Sequence, residues 1–205
     1  MDRIPVQGII FDLDGTLVTS ELDFSLIRAQ IGCPKDTDLL SFIADLPSPY
    51  MQEEAMSIVH QHELSDAQHC SVIPGVPETL AQLIHHGVPL AVVTRNFTKA
   101  AELKLKTAGL PIPLLLTRDD APAKPDPSAL LHVAQSWQVA PSQCVYVGDY
   151  LYDIEAAKNA QMRSCLYAPG VIPHYADQAD MVIDHFEQLI SALCQFAPSK
   201  SKDYA

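Results

Sequence analysis

The stretch Phe11-Asp12-Leu13-Asp14-Gly15-Thr16-Leu17, preceded by Gly8-Ile9-Ile10, decides how this chain is read. A short apolar, β-branched run followed by a glycine-containing turn reads as a buried strand ending in a loop. Asp12 and Asp14 therefore stand at the carboxyl end of a strand, where open α/β sheets bind ligands. In extended backbone the two carboxylates share one face and Leu13 points to the core. Two half-buried negative charges this close repel, so the pair requires a cation or a proton. A hard divalent cation, Mg2+ above all, suits carboxylate and carbonyl oxygens. Asp-Gly alone is an ordinary surface-turn signal, so the rest of the chain has to agree.

At 205 residues the chain can bury one good core and carry a small second module. Apolar residues make up 48 %, as in soluble globular proteins. The net charge of -12 argues against nucleic acid or a membrane surface as partner, since both are anionic. The start, Met1-Asp2-Arg3-Ile4-Pro5, has no signal-peptide character. The longest apolar runs, such as Val88 to Val93, are too short to span a bilayer. Cys33, Cys70, Cys144, Cys165 and Cys194 are odd in number and scattered, with no Cys-x-x-Cys. Reduced structural thiols in a cytoplasmic protein are the expectation.

After Leu17 the pattern turns helical. Leu22, Leu26, Ile27 and Ala29 recur at helical spacing until Gly32 and Pro34. Asp36 or Thr37 would cap a second short helix through Ile43, ended by Pro47. Ser48-Pro49 opens a third, with an apolar face of Met51, Ala55, Ile58 and Val59. Residues 18–71 thus read as a small all-helical insertion. The remainder alternates. Helices are expected over Val76–His86, Phe97–Ala108, Asp126–Trp137, Leu151–Ala160 and His185–Phe196. Strands are expected over Val88–Thr94, Pro113–Thr117, Cys144–Gly148, Arg163–Tyr167 and Met181–Ile183. Such alternation implies βαβ units and a mostly parallel sheet built from residues 1–17 and 72–196, with 197–205 a frayed tail.

Three further features sit at or just beyond strand ends. Thr94 closes the strand Ala91-Val92-Val93, and its hydroxyl can hold an anion. Lys124 lies in Ala123-Lys124-Pro125-Asp126-Pro127, stiffened by prolines; by itself it reads as a solvated loop lysine. Asp149 and Asp153 follow Cys144-Val145-Tyr146-Val147-Gly148 and lie four apart, near one face if the segment enters a helix. Helix capping is the plainer reading of Asp149. Asn96 is either a helix N-cap or a lining of the same pocket.

The ordered set resembles the four motifs of the haloacid dehalogenase-like superfamily, over about Gly8 to Asp184. The resemblance implies a Rossmann-like core with the first strand central and a helical cap inserted after the first motif. It further implies a Mg2+-dependent phosphatase of the phosphoglycolate-phosphatase-like kind, a monomer or small homo-oligomer acting on a small phosphorylated metabolite. Asp12 would be the nucleophile that forms an aspartyl-phosphate. Asp14 would be the general acid and then the base. Thr94 and Lys124, with Asn96 beside them, would hold the phosphoryl group. Mg2+ would be bound by Asp12, the backbone carbonyl of Asp14 and Asp149, with Asp153 a ligand through water or an anchor behind the site. Members of the family that cleave carbon–halogen bonds lack an acid–base Asp at the second position, so Asp14 favours phosphate esters.

Two other functions fit the same residues: a sugar-phosphate mutase of the β-phosphoglucomutase kind, and a receiver-type signalling module that keeps its phosphate. Asp23, Arg28 and Lys35 are cap residues able to meet substrate, and nothing in the sequence selects among them. Lys35 is the only cap lysine available for Schiff-base chemistry. His60 and His62 point to different faces of a helix and do not chelate. Trp137 with Leu130, Val133 and Ala134 reads as a packed helix face.

Overall fold

A computed structural model describes residues 4–195. The expected tail over 197–205, and Phe196 at the end of the last helix, lie outside the described residues. Six strands, β1 (Gly8–Phe11), β2 (Leu90–Val93), β3 (Leu114–Leu116), β4 (Cys144–Gly148), β5 (Arg163–Tyr167) and β6 (Met181–Ile183), form one sheet in the order β3-β2-β1-β4-β5-β6. Every pairing is parallel; Ile10 lies between Ala91 and Tyr146. The strands are continuous apolar runs because helices cover both faces.

Alternate residues feed two separate cores. Ile9, Phe11, Val92, Val145 and Val147 face α4 (Val76–His85), α5 (Thr98–Ala108) and α8 (Leu189–Gln195), meeting Leu80, Leu83, Ala101 and Leu193. Ile10, Ala91, Val93 and Tyr146 face α6 (Ser128–Ser136) and α7 (Leu151–Asn159), meeting Leu130, Val133, Ala156 and Ala157. The fold is therefore a Rossmann-like, doubly wound α/β sheet. β1 lies at its centre, where the strand order changes direction between β1 and β4. That switch point opens a crevice at the strands' carboxyl ends.

Between β1 and α4 the chain forms α1 (Phe24–Ile31), α2 (Leu39–Ala44) and α3 (Pro49–His69), with a core of their own around Ile27, Leu39, Ile43, Ala55 and Val59. Several local expectations shift. Asp38, not Asp36 or Thr37, caps α2 through the Ser41 N–H. α3 buries Ala55, Val59, Glu63 and Ala67, a stripe of spacing four, while Met51 in its first turn is exposed. Asn96 does not cap α5; Phe97 holds that position, with no side-chain cap. The last helix is broken into a 3-10 turn over Phe186–Gln188 and α8. Trp137 packs against Gly8, where a Cβ would lie 2.5 Å from its ring.

Candidate active site

The site grows from the ends of β1, β2 and β4 and the turn before α6. Asp12 continues β1, its N–H donating to the Val147 carbonyl at 2.8 Å. Its Oδ1 accepts from Lys124 Nζ at 2.6 Å, which brings together residues 112 apart in sequence. Lys124 also donates to Asp153 Oδ1 at 2.6 Å and to the Tyr146 hydroxyl at 2.7 Å, so all three of its protons are engaged. Tyr146 in turn donates to the Val93 carbonyl at 3.0 Å. Lys124, Tyr146, Asp12 and Asp153 are all buried. Burial works against charge on Lys124, but Asp12 and Asp153 outweigh it and raise its pKa.

Asp153 does two things. Its Oδ1 receives Lys124, and its Oδ2 accepts the Tyr150 N–H at 3.0 Å, closing a capping box on α7. The cap position falls to Tyr150, so Asp149 is not the helix cap and its carboxylate turns into the crevice instead. One carboxylate oxygen each from Asp12, Asp149 and Asp153 lies within 4.8 Å of the others. Gly15 and Gly148 give these acids their room. A Cβ on Gly15, whose φ is +72°, would lie 2.4 Å from Asp149 Oδ2, and one on Gly148 would lie 2.3 Å from Asp153 Cγ.

Three carboxylates share one ammonium here. Burial, with Asp153 and Asp14 adding to it against Lys124, pushes Asp12 up to about 7. Burial, then the charges of Asp12 and Asp153, push Asp149 up to about 8. The surplus of negative charge and the all-oxygen donor set fit a hard divalent cation such as Mg2+; protonation is the alternative way to relieve it.

Asp14 lines the same cavity but has partners of its own. Its Oδ2 accepts from Asn96 Nδ2 and its Oδ1 from Lys104 Nζ, both at short range. Asn96 also ties to Thr94: its backbone N–H and Nδ2 donate to the Thr94 hydroxyl oxygen at 3.2 and 3.0 Å. The Thr94 proton has no acceptor among the described residues. Asn96 Oδ1 is buried and has no partner among them either.

A family model described as haloacid dehalogenase-like hydrolase matches residues 9–167. This chain belongs to that family. It is 29 % identical to an N-acetylmuramic acid 6-phosphate phosphatase of Pseudomonas aeruginosa, over 94 % of this chain and 97 % of that one. It is 28 % identical to a phosphoglycolate phosphatase of Thiobacillus denitrificans, over 77 % and 81 %. Its fold matches the crystal structure of a predicted phosphoglycolate phosphatase from Haemophilus somnus with a TM-score of 0.72 at 23 % identity, covering 91 % of this chain and 97 % of that one. The ordered motifs and the sheet topology thus point to one hydrolase family.

In this haloacid dehalogenase-like hydrolase the seven residues expected from sequence, Asp12, Asp14, Thr94, Asn96, Lys124, Asp149 and Asp153, line one cavity of about 520 Å³ beneath the helical insert. Of the three insert residues left open, Arg28 lines it. Asp23 caps α1 through the Leu26 N–H, and Lys35 is exposed and does not line the cavity. His60 stacks on Phe97 at 4.1 Å and His62 meets Gln30 at 2.8 Å, so they share no site. Among the described residues no disulfide forms, and no helix is long and apolar enough to cross a membrane.

Four functional-looking residues escaped the sequence reading. Tyr146 and Lys104 look like ordinary members of a strand and of an exposed helix face. Glu63 and Arg118 look solvated. Instead Arg118 grips buried Glu63 with two nitrogens, at 2.6 and 3.0 Å, and Glu63 accepts the Phe97 N–H. The available signal for Tyr146 was a polar-tipped aromatic inside a fully buried strand, which needs a partner for its hydroxyl.

Proposed function

We propose that this hydrolase is a Mg2+-dependent phosphatase that releases phosphate from a small metabolite through an aspartyl-phosphate, as in the phosphoglycolate-phosphatase-like branch. The observation that carries this reading is the pairing at the crevice. Asp12 is held by Lys124 through one oxygen and has no partner on the other among the described residues, and Asp14, lining the same cavity, is held by different partners, Asn96 and Lys104.

The open Asp12 oxygen attacks phosphorus, and the bond from phosphorus to the leaving oxygen breaks. Asp14 gives its proton to that oxygen. In the second half Asp14 takes a proton from water, the water oxygen attacks phosphorus, and inorganic phosphate leaves Asp12 free again. Lys124 offsets charge on Asp12 and on the phosphoryl oxygens. The unpartnered Thr94 proton donates to one of them, and Asn96 orients Thr94. Mg2+, held by Asp12, the Asp14 carbonyl and Asp149 with Asp153 fixed behind them, would neutralise the surplus carboxylate charge and stabilise charge on the transferring oxygens.

Residues 18–71 act as a cap over the core of residues 1–17 and 72–196, excluding water from the reacting groups. A cavity of about 520 Å³ fits a small metabolite rather than a polymer. The relatives named for N-acetylmuramic acid 6-phosphate and phosphoglycolate act on compounds of that size. The test is phosphate release from a panel of small phosphorylated metabolites with Mg2+, with chelator, and with Asp12→Asn. Release that needs Mg2+ and disappears in the variant supports the proposal. Silence across the panel from folded protein overturns it and turns attention to phosphate transfer between sugars or to a stable aspartyl-phosphate.

A further inference from the structure

Lys104 lies in α5, outside every motif, and is completely buried. Its ammonium donates to Asp14 Oδ1 and, at 2.6 Å, to Asp66 Oδ2. Asp66 belongs to α3 of the insert. It also accepts from the Ser20 hydroxyl at 2.9 Å and the Glu21 N–H at 2.7 Å, where the chain enters the insert. The other buried residues of α5 are Ala100 and Ala101. An apolar residue at 104 would fill this place without the cost of burying a charge, and a buried ion pair rarely gains stability over such a replacement. The pair therefore calls for a positional reason. With Asn96 on its other oxygen, each Asp14 oxygen accepts one hydrogen bond, which fixes the plane of the group and leaves each oxygen a second lone pair to carry the transferred proton.

We propose that Lys104 is a positioning residue that aims the Asp14 carboxyl at the leaving-group oxygen, and that Asp66 of the insert fixes Lys104 in turn. This rests on the reading of Asp14 as the acid. Proton donation matters most where the leaving group is a poor one. An alkyl ester leaves as an alkoxide and needs the proton; p-nitrophenolate leaves with little help. A residue with only a structural role would not distinguish the two.

The experiment compares wild type, Lys104→Met and Asp66→Asn on glycerol phosphate and on p-nitrophenyl phosphate, with a crystal structure of Lys104→Met. In Lys104→Met, kcat on the alkyl ester falls about 100-fold, kcat on p-nitrophenyl phosphate falls far less, and the Asp14 carboxylate turns from its wild-type position. Asp66→Asn shows the same selectivity in smaller measure. An equal fall on both esters, or an Asp14 that keeps its place in Lys104→Met, overturns the proposal. Wild type inactive on every ester would sink the phosphatase reading instead, and the position of Asp14 in the variant would still decide whether Lys104 holds it. Should Lys104→Met fail to fold, Asp66→Asn decides by the same ester comparison and by the position of Asp14 in its own crystal structure.

Discussion

Gly148 has no side chain because Asp153 occupies the space where one would stand. A Cβ there would meet Asp153 Cγ at 2.3 Å, and Asp153 has nowhere to retreat: its two oxygens hold Lys124 and the Tyr150 N–H. Gly148→Ala therefore displaces Asp153, and with it Lys124 from Asp12. Because displacements of an ångström at a reacting centre cost about 100-fold in rate, phosphate release by Gly148→Ala should fall by about that factor while circular dichroism stays native. Wild-type turnover in this variant would mean that the contact is not tight. At this scale much of the site was legible in advance. Asp12, Asp14, Thr94, Lys124 and Asp149 each sit at or just beyond a strand end or in a proline-stiffened turn, but only the ordered resemblance to the family joins Thr94, Lys124 and Asp149 to the first two; alone, Lys124 reads as a solvated loop lysine and Asp149 as a helix cap. Lys104 was not legible. A lysine in an amphipathic helix reads as solvated unless a partner distant in sequence is known, and its partners are 90 and 38 residues away.

At the scale of elements, the shortest α-helix among the described residues is α2. Six residues are too few to be helical by propensity alone, so it depends on its end. Asp38 accepts the Ser41 N–H at 3.0 Å and pairs with Arg95 just beyond β2. Asp38→Ala should cost about 1–2 kcal/mol, roughly half from the lost cap and half from the partly exposed ion pair. Urea denaturation should show this as a lower midpoint with an unchanged slope, and an unchanged midpoint would refute the account of α2. The sequence pattern places this cap at Asp36 or Thr37, one or two residues short of Asp38. Asp38 is also the residue that pairs with Arg95 of the core, a contact between segments 57 residues apart that local pattern does not record. α3 is another case. Its buried stripe includes Glu63, which no hydrophobic periodicity predicts, because Arg118 and the Phe97 N–H satisfy it.

At the scale of the molecule, three ion pairs join insert to core among the described residues: Arg95–Asp38, Arg118–Glu63 and Lys104–Asp66. Arg95–Asp38 and Arg118–Glu63 line the same cavity as the acids Asp12 and Asp149. Asp12 moves from 3.8 to about 7 and Asp149 from 3.8 to about 8, chiefly by burial. Folded values above unfolded ones mean that the folded state holds these protons more tightly, so metal-free stability falls as pH rises from about 4 to about 8. A cation that binds the ionised acids offsets that fall. The rise in Tm produced by Mg2+ should therefore be small at pH 5 and several degrees at pH 8, measured by differential scanning fluorimetry. A shift independent of pH would contradict the assignment of these acids. The sequence by itself determined the parallel sheet, the helical insertion and the acidic pair, because apolar runs, turn residues and strand ends are local properties; the central place of β1 comes from the family resemblance, since strand order is not a local property. Only the tertiary structure decided what holds those acids. Tyr146 behind Lys124, Lys104 behind Asp14 and the ion pairs beneath the insert are contacts between distant segments, and their strength depends on a burial that no local pattern records.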